Sequence, residues 1–251
     1  MSLEKTEALV IRLADWSESS RVVTLFTRDF GRISALAKGV KRLRSSFEAA
    51  LDLLSESRIV FLRKSSSSLD ILTESQLIAR FQPSPKSLTS LYGGYYVAEL
   101  LSGLCEEHDP HPRLYQIAID TLRRLETDAD PRPAILRFEL VLLREIGHLP
   151  EFEACLVCGA PVSGDRRFAY WVSQGGLICT TCQRPDYEHT HTPIDAGAVA
   201  VLKQLSDDDP ASFQNLVHTP QQLTQLRHVT TAAVSHVLER RPATLRYLNF
   251  D

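Results

Sequence analysis

Over the first eighty residues, short apolar runs rich in Val, Ile, Leu and Thr are separated by polar turn material, the pattern of β-strands rather than helices. The runs predict strands over residues 7–13, 21–27, 32–38, 57–63 and 69–78. Between them stand DWSESS, RDFG and KSSSS, each a breaker by composition. Residues 65–68, a run of four serines, read as a hairpin tip. Five short strands with no long helix among them predict a small closed barrel, which removes the edges a flat sheet would expose. The longest gap, between the third and fourth strands, contains KGVKRLRSSFEAA.

After QPSPK, residues 82–86, the period changes. A helix is predicted from residue 87 to about 108, with Leu88, Leu91, Tyr95, Ala98 and Leu101 on a broad apolar face. A second runs from about 112 to 126 on Leu114, Ile117, Ala118, Leu122 and Leu125. A third, AILRFELVLLREIG, is apolar nearly all round and therefore belongs at a domain centre. Gly147 and then Pro150 mark its end. Helical pattern returns from about residue 196, and Thr219-Pro-Gln-Gln222 spells a capping box with Pro at the first helical position. The expected class is α+β and multidomain. A nucleic-acid-binding barrel occupies 1–81, and a helical domain occupies 82–150 and 193–251. A small metal-binding insert at 151–192 interrupts that domain.

Composition narrows the class without deciding it. The 251 residues are 43% hydrophobic and 24% charged, ordinary for a globular protein. No apolar run approaches the roughly 18 residues of a membrane span. The N-terminus, MSLEKTEALVIRL, lacks the regions of a signal peptide, so a cytoplasmic protein is expected. The net charge of −3 conceals an asymmetry. Residues 1–80 hold 13 Lys/Arg against 10 Asp/Glu, and the remainder hold 15 against 21. A polyanionic partner should therefore meet the N-terminal third.

Four of the five cysteines fall in two pairs, Cys155-Leu-Val-Cys158 and Cys179-Thr-Thr-Cys182, with twenty residues between them. Each CxxC turn brings two thiolates to one ion, and four complete a tetrahedral shell, which points to one structural Zn2+. Gly159 suits the tight turn of the first knuckle. RRFAYWVSQGGLIC reads as a hairpin, with a Gly175-Gly176 turn, that returns the second knuckle to the first. The alternatives are a redox dithiol pair, unligated buried cysteines, or a shell completed by His189 or His191. A redox CxxC sits at a helix start with one knuckle only, and four cysteines need no histidine. A catalytic zinc needs an open position and a general base, yet no HxE accompanies the pairs and no HExxH occurs.

The second cluster is GRISALAKGVKRLRSSF, residues 31–47. It carries Arg32, Lys38, Lys41, Arg42 and Arg44 with no acidic residue between them, a candidate phosphate-binding strand and loop on the barrel. Phe26, Phe30, Phe47 and Phe61 are candidates to stack bases. The other reading is a solvated basic loop over core phenylalanines. Enzyme signatures are absent from the sequence: no GxxxxGK[ST], no GxGxxG after a strand, no GxSxG.

Taken together, these blocks resemble the bacterial recombination mediator family RecO. VIRLADWSESSRVVTLFTRDFGRISALAKGVKRLRS is similar to the family's opening block, with Glu18-Ser19-Ser20 at its turn and Lys38-Gly39-Val40-Lys41 in its basic loop. RFELVLLREIGHLPEFEACLVCGAP resembles the helix that runs into the family's first zinc knuckle, and RRPATLRYL its terminal segment. The resemblance implies an N-terminal OB-fold, a helical domain and a zinc-finger unit. It also implies a non-enzymatic role in DNA repair: binding single- and double-stranded DNA, annealing complementary strands, and acting with RecR to load RecA. The DNA loaded is coated by single-strand binding protein, whose acidic, hydrophobic C-terminal tail the family recognises. Two other classes carry the same parts. One is an RNA-binding or transcription-associated adaptor, the other a zinc hydrolase or deaminase.

Overall fold

Strand β1 (Ser2–Asp15) is long enough to serve two partners. Its first half pairs antiparallel with β4 (Ser55–Arg63), and its second half pairs antiparallel with β2 (Arg21–Thr27). A register shift between Val10 and Arg12 bends the strand between these roles. Strand β3 (Gly31–Ala37) pairs with β2, and β4 pairs with β5 (Asp70–Arg80). A short parallel pairing, Ala35–Ala37 against Asp70–Leu72, closes the ring in the order β1-β2-β3-β5-β4. This is the five-stranded closed barrel of an OB-fold. The computed structural model describes all residues except 1, 42–46, 48, 49, 65–68, 165, 188, 189, 191, 208, 209, 249 and 251. The serine tip expected at 65–68 lies outside the described residues.

Period-2 alternation fills the barrel. Ala8, Val10, Val23, Leu25, Ile33, Ala35, Ile59, Phe61 and Leu72 point inward, and Phe47 and Leu51 from the β3–β4 connection join the same core. β2 is buried on both faces over most of its length because helices α1 (Leu88–Leu104) and α2 (Pro112–Leu125) pack on its outer side. Ser87 caps α1, its hydroxyl accepting from the Ser90 amide at 3.1 Å. These elements form one compact unit, Met1–Ala129.

Asp130–Asp251 forms the other. Helix α3 (Arg132–Glu145) is buried along nearly its whole length, as its all-round apolar pattern requires. It packs against α4 (Ala196–Ser206) and α6 (Pro220–Val237), with the short α5 (Pro210–Gln214) beside α4. The Thr219 capping box forms as expected: Thr219 accepts from the Gln222 amide, and the Gln222 side chain accepts from the Thr219 amide. Two charged side chains are buried in α3. Arg137 donates to the Leu205 carbonyl and lies over the Phe213 ring, and Glu139 accepts from Arg227 at 2.6 Å. Between α3 and α4 the chain makes a three-stranded sheet in the order β7-β6-β8 from β6 (Arg167–Trp171), β7 (Gly176–Cys179) and β8 (Ile194–Asp195). No described helix is long and apolar enough to cross a membrane.

Candidate metal centre and nucleic-acid interface

The first knuckle is a tight loop stitched by its own backbone. The Gly159 amide donates to the Cys155 carbonyl, and the Cys155 amide donates to the Ala160 carbonyl, each at 2.9 Å. Gly159 has φ +68, the left-handed region where glycine is at no disadvantage. The second knuckle follows the β6–β7 hairpin. There Gly175 takes φ +65 after a single 3₁₀ turn, so β7 delivers Cys179 opposite Phe168. The Leu156 amide donating to the Leu177 carbonyl at 2.9 Å fastens the two knuckles together.

All four cysteine sulfurs lie within 4.8 Å of one another. Cys158 Sγ and Cys179 Sγ are 3.8 Å apart, equal to the edge of about 3.8 Å that follows from a tetrahedron with metal–sulfur bonds of about 2.3 Å. The donor set therefore fits one soft or borderline metal ion with no ligand position left over. His189 and His191 lie outside the described residues. Burial opposes ionisation of Cys155, but amide hydrogen bonds from Cys179, Cys158 and Val157 outweigh it and lower the pKa. Burial likewise opposes ionisation of Cys179, and hydrogen bonds from Thr181 and Cys182 win, holding it down to about 6. Cys182 hydrogen-bonds to Cys179 and Cys158 and is pushed up to about 12. Two of the sulfurs are thus biased toward the thiolate form that a metal ion would need from its ligands. The fifth cysteine, Cys105, is a core residue whose thiol burial pushes up to about 12.

The described residues of the basic cluster lie on β3 and the connection that follows it. The register puts Asp15 of β1 opposite Arg21 of β2, Arg21 opposite Ala37 of β3, and Ala37 opposite Leu72 of β5. Leu62 of β4 stands opposite Ile71. The connections β1–β2, β3–β4 and β4–β5 therefore leave from the same end of the barrel. OB-folds receive single strands at this kind of loop cluster. Lys38, exposed, and Lys41 both stand on the β3–β4 connection. Among the described residues Lys38 has no ion-pair partner. Lys41 Nζ lies 2.9 Å from Asp15, and its amide donates to the Ser19 carbonyl at 3.2 Å, which ties this connection to the β1–β2 loop. Arg42 and Arg44 lie outside the described residues. Lys64, which the sequence pattern did not single out, begins the β4–β5 connection at the same end.

Arg32 has a different setting. Its Nε donates to the Cys105 carbonyl at 2.8 Å, its guanidinium lies 3.6 Å from Glu107, and its carbonyl accepts from the His108 amide. The side chain is a strut between β3 and the α1–α2 connection. The phenylalanines are structural as well. Phe26 is fully buried against Tyr115, Phe61 is fully buried with Phe30 edge-on to it at 5.5 Å, and Phe47 is buried in the barrel core. Phe26, Phe47 and Phe61 are closed to a base, and Phe30 is partly buried against the same core. Among the described residues, the exposed aromatic at this end is Trp16, 64% exposed in the β1–β2 loop. By composition that loop, DWSESS, reads only as turn material. An exposed tryptophan inside a polar turn was the available signal.

Residues 1–81 match the family model described as Recombination protein O N terminal, and residues 85–246 match Recombination protein O C terminal. Relatives named DNA repair protein RecO include that of Rhodopirellula baltica, 40% identical over 202 residues that cover 80% of this chain and 74% of the relative. The relative from Anaeromyxobacter dehalogenans is 34% identical over 250 residues, covering 99% of this chain and 97% of its own. With both halves of the chain matched, and relatives aligned along nearly its whole length, the protein belongs to the RecO family of DNA repair proteins.

Proposed function

We propose that the protein is a non-enzymatic, cytoplasmic and nucleoid-associated mediator of DNA repair and recombination. The observation that carries this reading is the convergence of three connections at one barrel end, with Lys38, Lys41 and Lys64 on them. Arg42 and Arg44 extend that basic set in sequence. Phosphate contacts from these residues hold single- and double-stranded DNA with little sequence preference. Holding two strands on neutralising cations lowers their mutual repulsion, which is the physical basis of annealing. With RecR, the protein then helps load RecA onto DNA coated by single-strand binding protein.

Recognition of that protein's acidic, apolar tail fits a cavity of about 510 Å³ along α6, where His228 and Arg241 line the same space as Leu245, Leu248 and Phe250. The four cysteines hold Zn2+, which stabilises the hairpin and supplies no open position for chemistry. The test is annealing of complementary oligonucleotides without ATP, bare and coated with single-strand binding protein. Annealing in both arms is expected. Failure in both, or a strong preference for RNA of the same sequence in competition, would overturn the reading.

A further inference from the structure

Trp16 is a large apolar side chain that the barrel does not bury, and among the described residues of the barrel it is the exposed aromatic. Tryptophan is costly to expose, yet this one is 64% exposed in a five-residue loop otherwise made of serine and glutamate. The loop that carries it is held in shape. The Trp16 amide donates to the Ser20 carbonyl at 3.0 Å, and the Ser17 amide donates to the same carbonyl at 3.2 Å. From the basic connection, Lys41 reaches the Ser17 carbonyl with Nζ at 3.4 Å, the Ser19 carbonyl with its amide, and the Asp15 carboxylate at 2.9 Å. An exposed indole and a basic loop are thus fastened together at the end where the barrel's connections open. Three of the barrel's phenylalanines, Phe26, Phe47 and Phe61, are buried in packing, and Phe30 stands edge-on to Phe61.

We infer that Trp16 is a stacking platform for an unpaired base of single-stranded DNA, seated beside the phosphate contacts of the β3–β4 connection. The inference rests on the proposed DNA-binding role of this barrel end and adds to it a means of discriminating single strands from duplex. Phosphates are common to both forms, whereas a free base face exists only where the strand is unpaired. Stacking needs no hydrogen-bond readout, so the platform tolerates any base.

The experiment uses the full chain, which has two tryptophans, Trp16 and Trp171. In Trp171→Phe, titration with oligo(dT) is expected to quench Trp16 emission in step with binding, while Trp16→Phe shows no quench from Trp171. Trp16→Ala is expected to lose about tenfold in single-strand affinity and to bind duplex within twofold of wild type, with Trp16→Phe intermediate. Single-strand binding by Trp16→Ala at wild-type strength, or binding by Trp171→Phe with unchanged emission, overturns the inference. If Lys38→Glu weakens binding in the same assays, the barrel-end reading survives that result. If the wild-type chain binds no DNA, the reading beneath it has failed instead.

Discussion

Lys41 Nζ lies 2.9 Å from the Asp15 carboxylate, joining the basic connection to the end of β1. Hydrogen bonds from Lys41 first and Arg21 second hold the Asp15 carboxyl below the usual carboxylate value. A depressed folded value means that the pairing is fully present above the unfolded pKa of about 3.9 and is lost only as pH falls through the lower folded value. DNA binding through this end should therefore be flat from about pH 6 to 8 in its Asp15 component. Asp15→Asn removes the competing carboxylate and leaves Lys41 for phosphate. Higher single-strand affinity at low salt is expected, with a salt slope steeper by up to about 0.7, measured by fluorescence anisotropy at several salt concentrations.

The metal centre makes a separable prediction. Metal analysis of the purified chain should return one zinc, and cobalt substitution should give the spectrum of four sulfur ligands. Cys179→Ser should lose the metal and open residues 152–190 to limited proteolysis. Its single-strand affinity should stay near wild type if, as proposed, the cysteines serve only the hairpin and the DNA contacts are made by the barrel.

Arg227 and Glu139 meet at 2.6 Å in the interior of the second unit, with the Glu139 side chain fully buried and the Arg227 guanidinium over the Phe250 ring. Removing one partner strands a buried charge. Arg227→Ala should destabilise by about 3–5 kcal/mol in chemical denaturation. Replacing both, Arg227→Met with Glu139→Leu, should recover most of that loss, since an apolar pair of similar volume leaves no charge uncompensated.

Gly31 begins β3 at φ +66, and a Cβ there would overlap the Asp109 carbonyl of the α1–α2 connection. Gly31→Ala therefore meets two penalties, an unfavourable backbone conformation and a backbone clash. A loss of at least about 1 kcal/mol is expected in the first unit, seen as an earlier denaturation midpoint.

Local signals carried far in this chain, and long-range ones did not. The run RVVTLFT is legible as β2 because its apolar residues are consecutive and its ends are marked by turns. The first residues of β1, SLEKT, carry little apolar signal and become strand only by pairing with β4. The two-residue β8 is too short to show any period. The cysteine spacing, Gly159 and the capping box were readable because each is set within a few residues. Arg32 read as one more free cation of a basic run, since nothing nearby reveals a hydrogen bond to a carbonyl 73 residues away. Arg137 is a parallel case: nothing near it in sequence reveals that it is buried between the Leu205 carbonyl and the Phe213 ring. The phenylalanines illustrate the converse, because apolar periodicity identifies them but cannot separate core from platform.

In the proposed function, the barrel end carrying the β3–β4 connection holds DNA through its phosphates. The most direct measurement of this is the salt dependence of oligo(dT) affinity for the wild-type chain and for Lys41→Glu/Arg42→Glu/Arg44→Glu, with folding verified by circular dichroism. Weaker binding and a slope smaller by about 2, the loss of three phosphate contacts, are expected. An unchanged affinity and slope in the folded triple variant would contradict the proposed function.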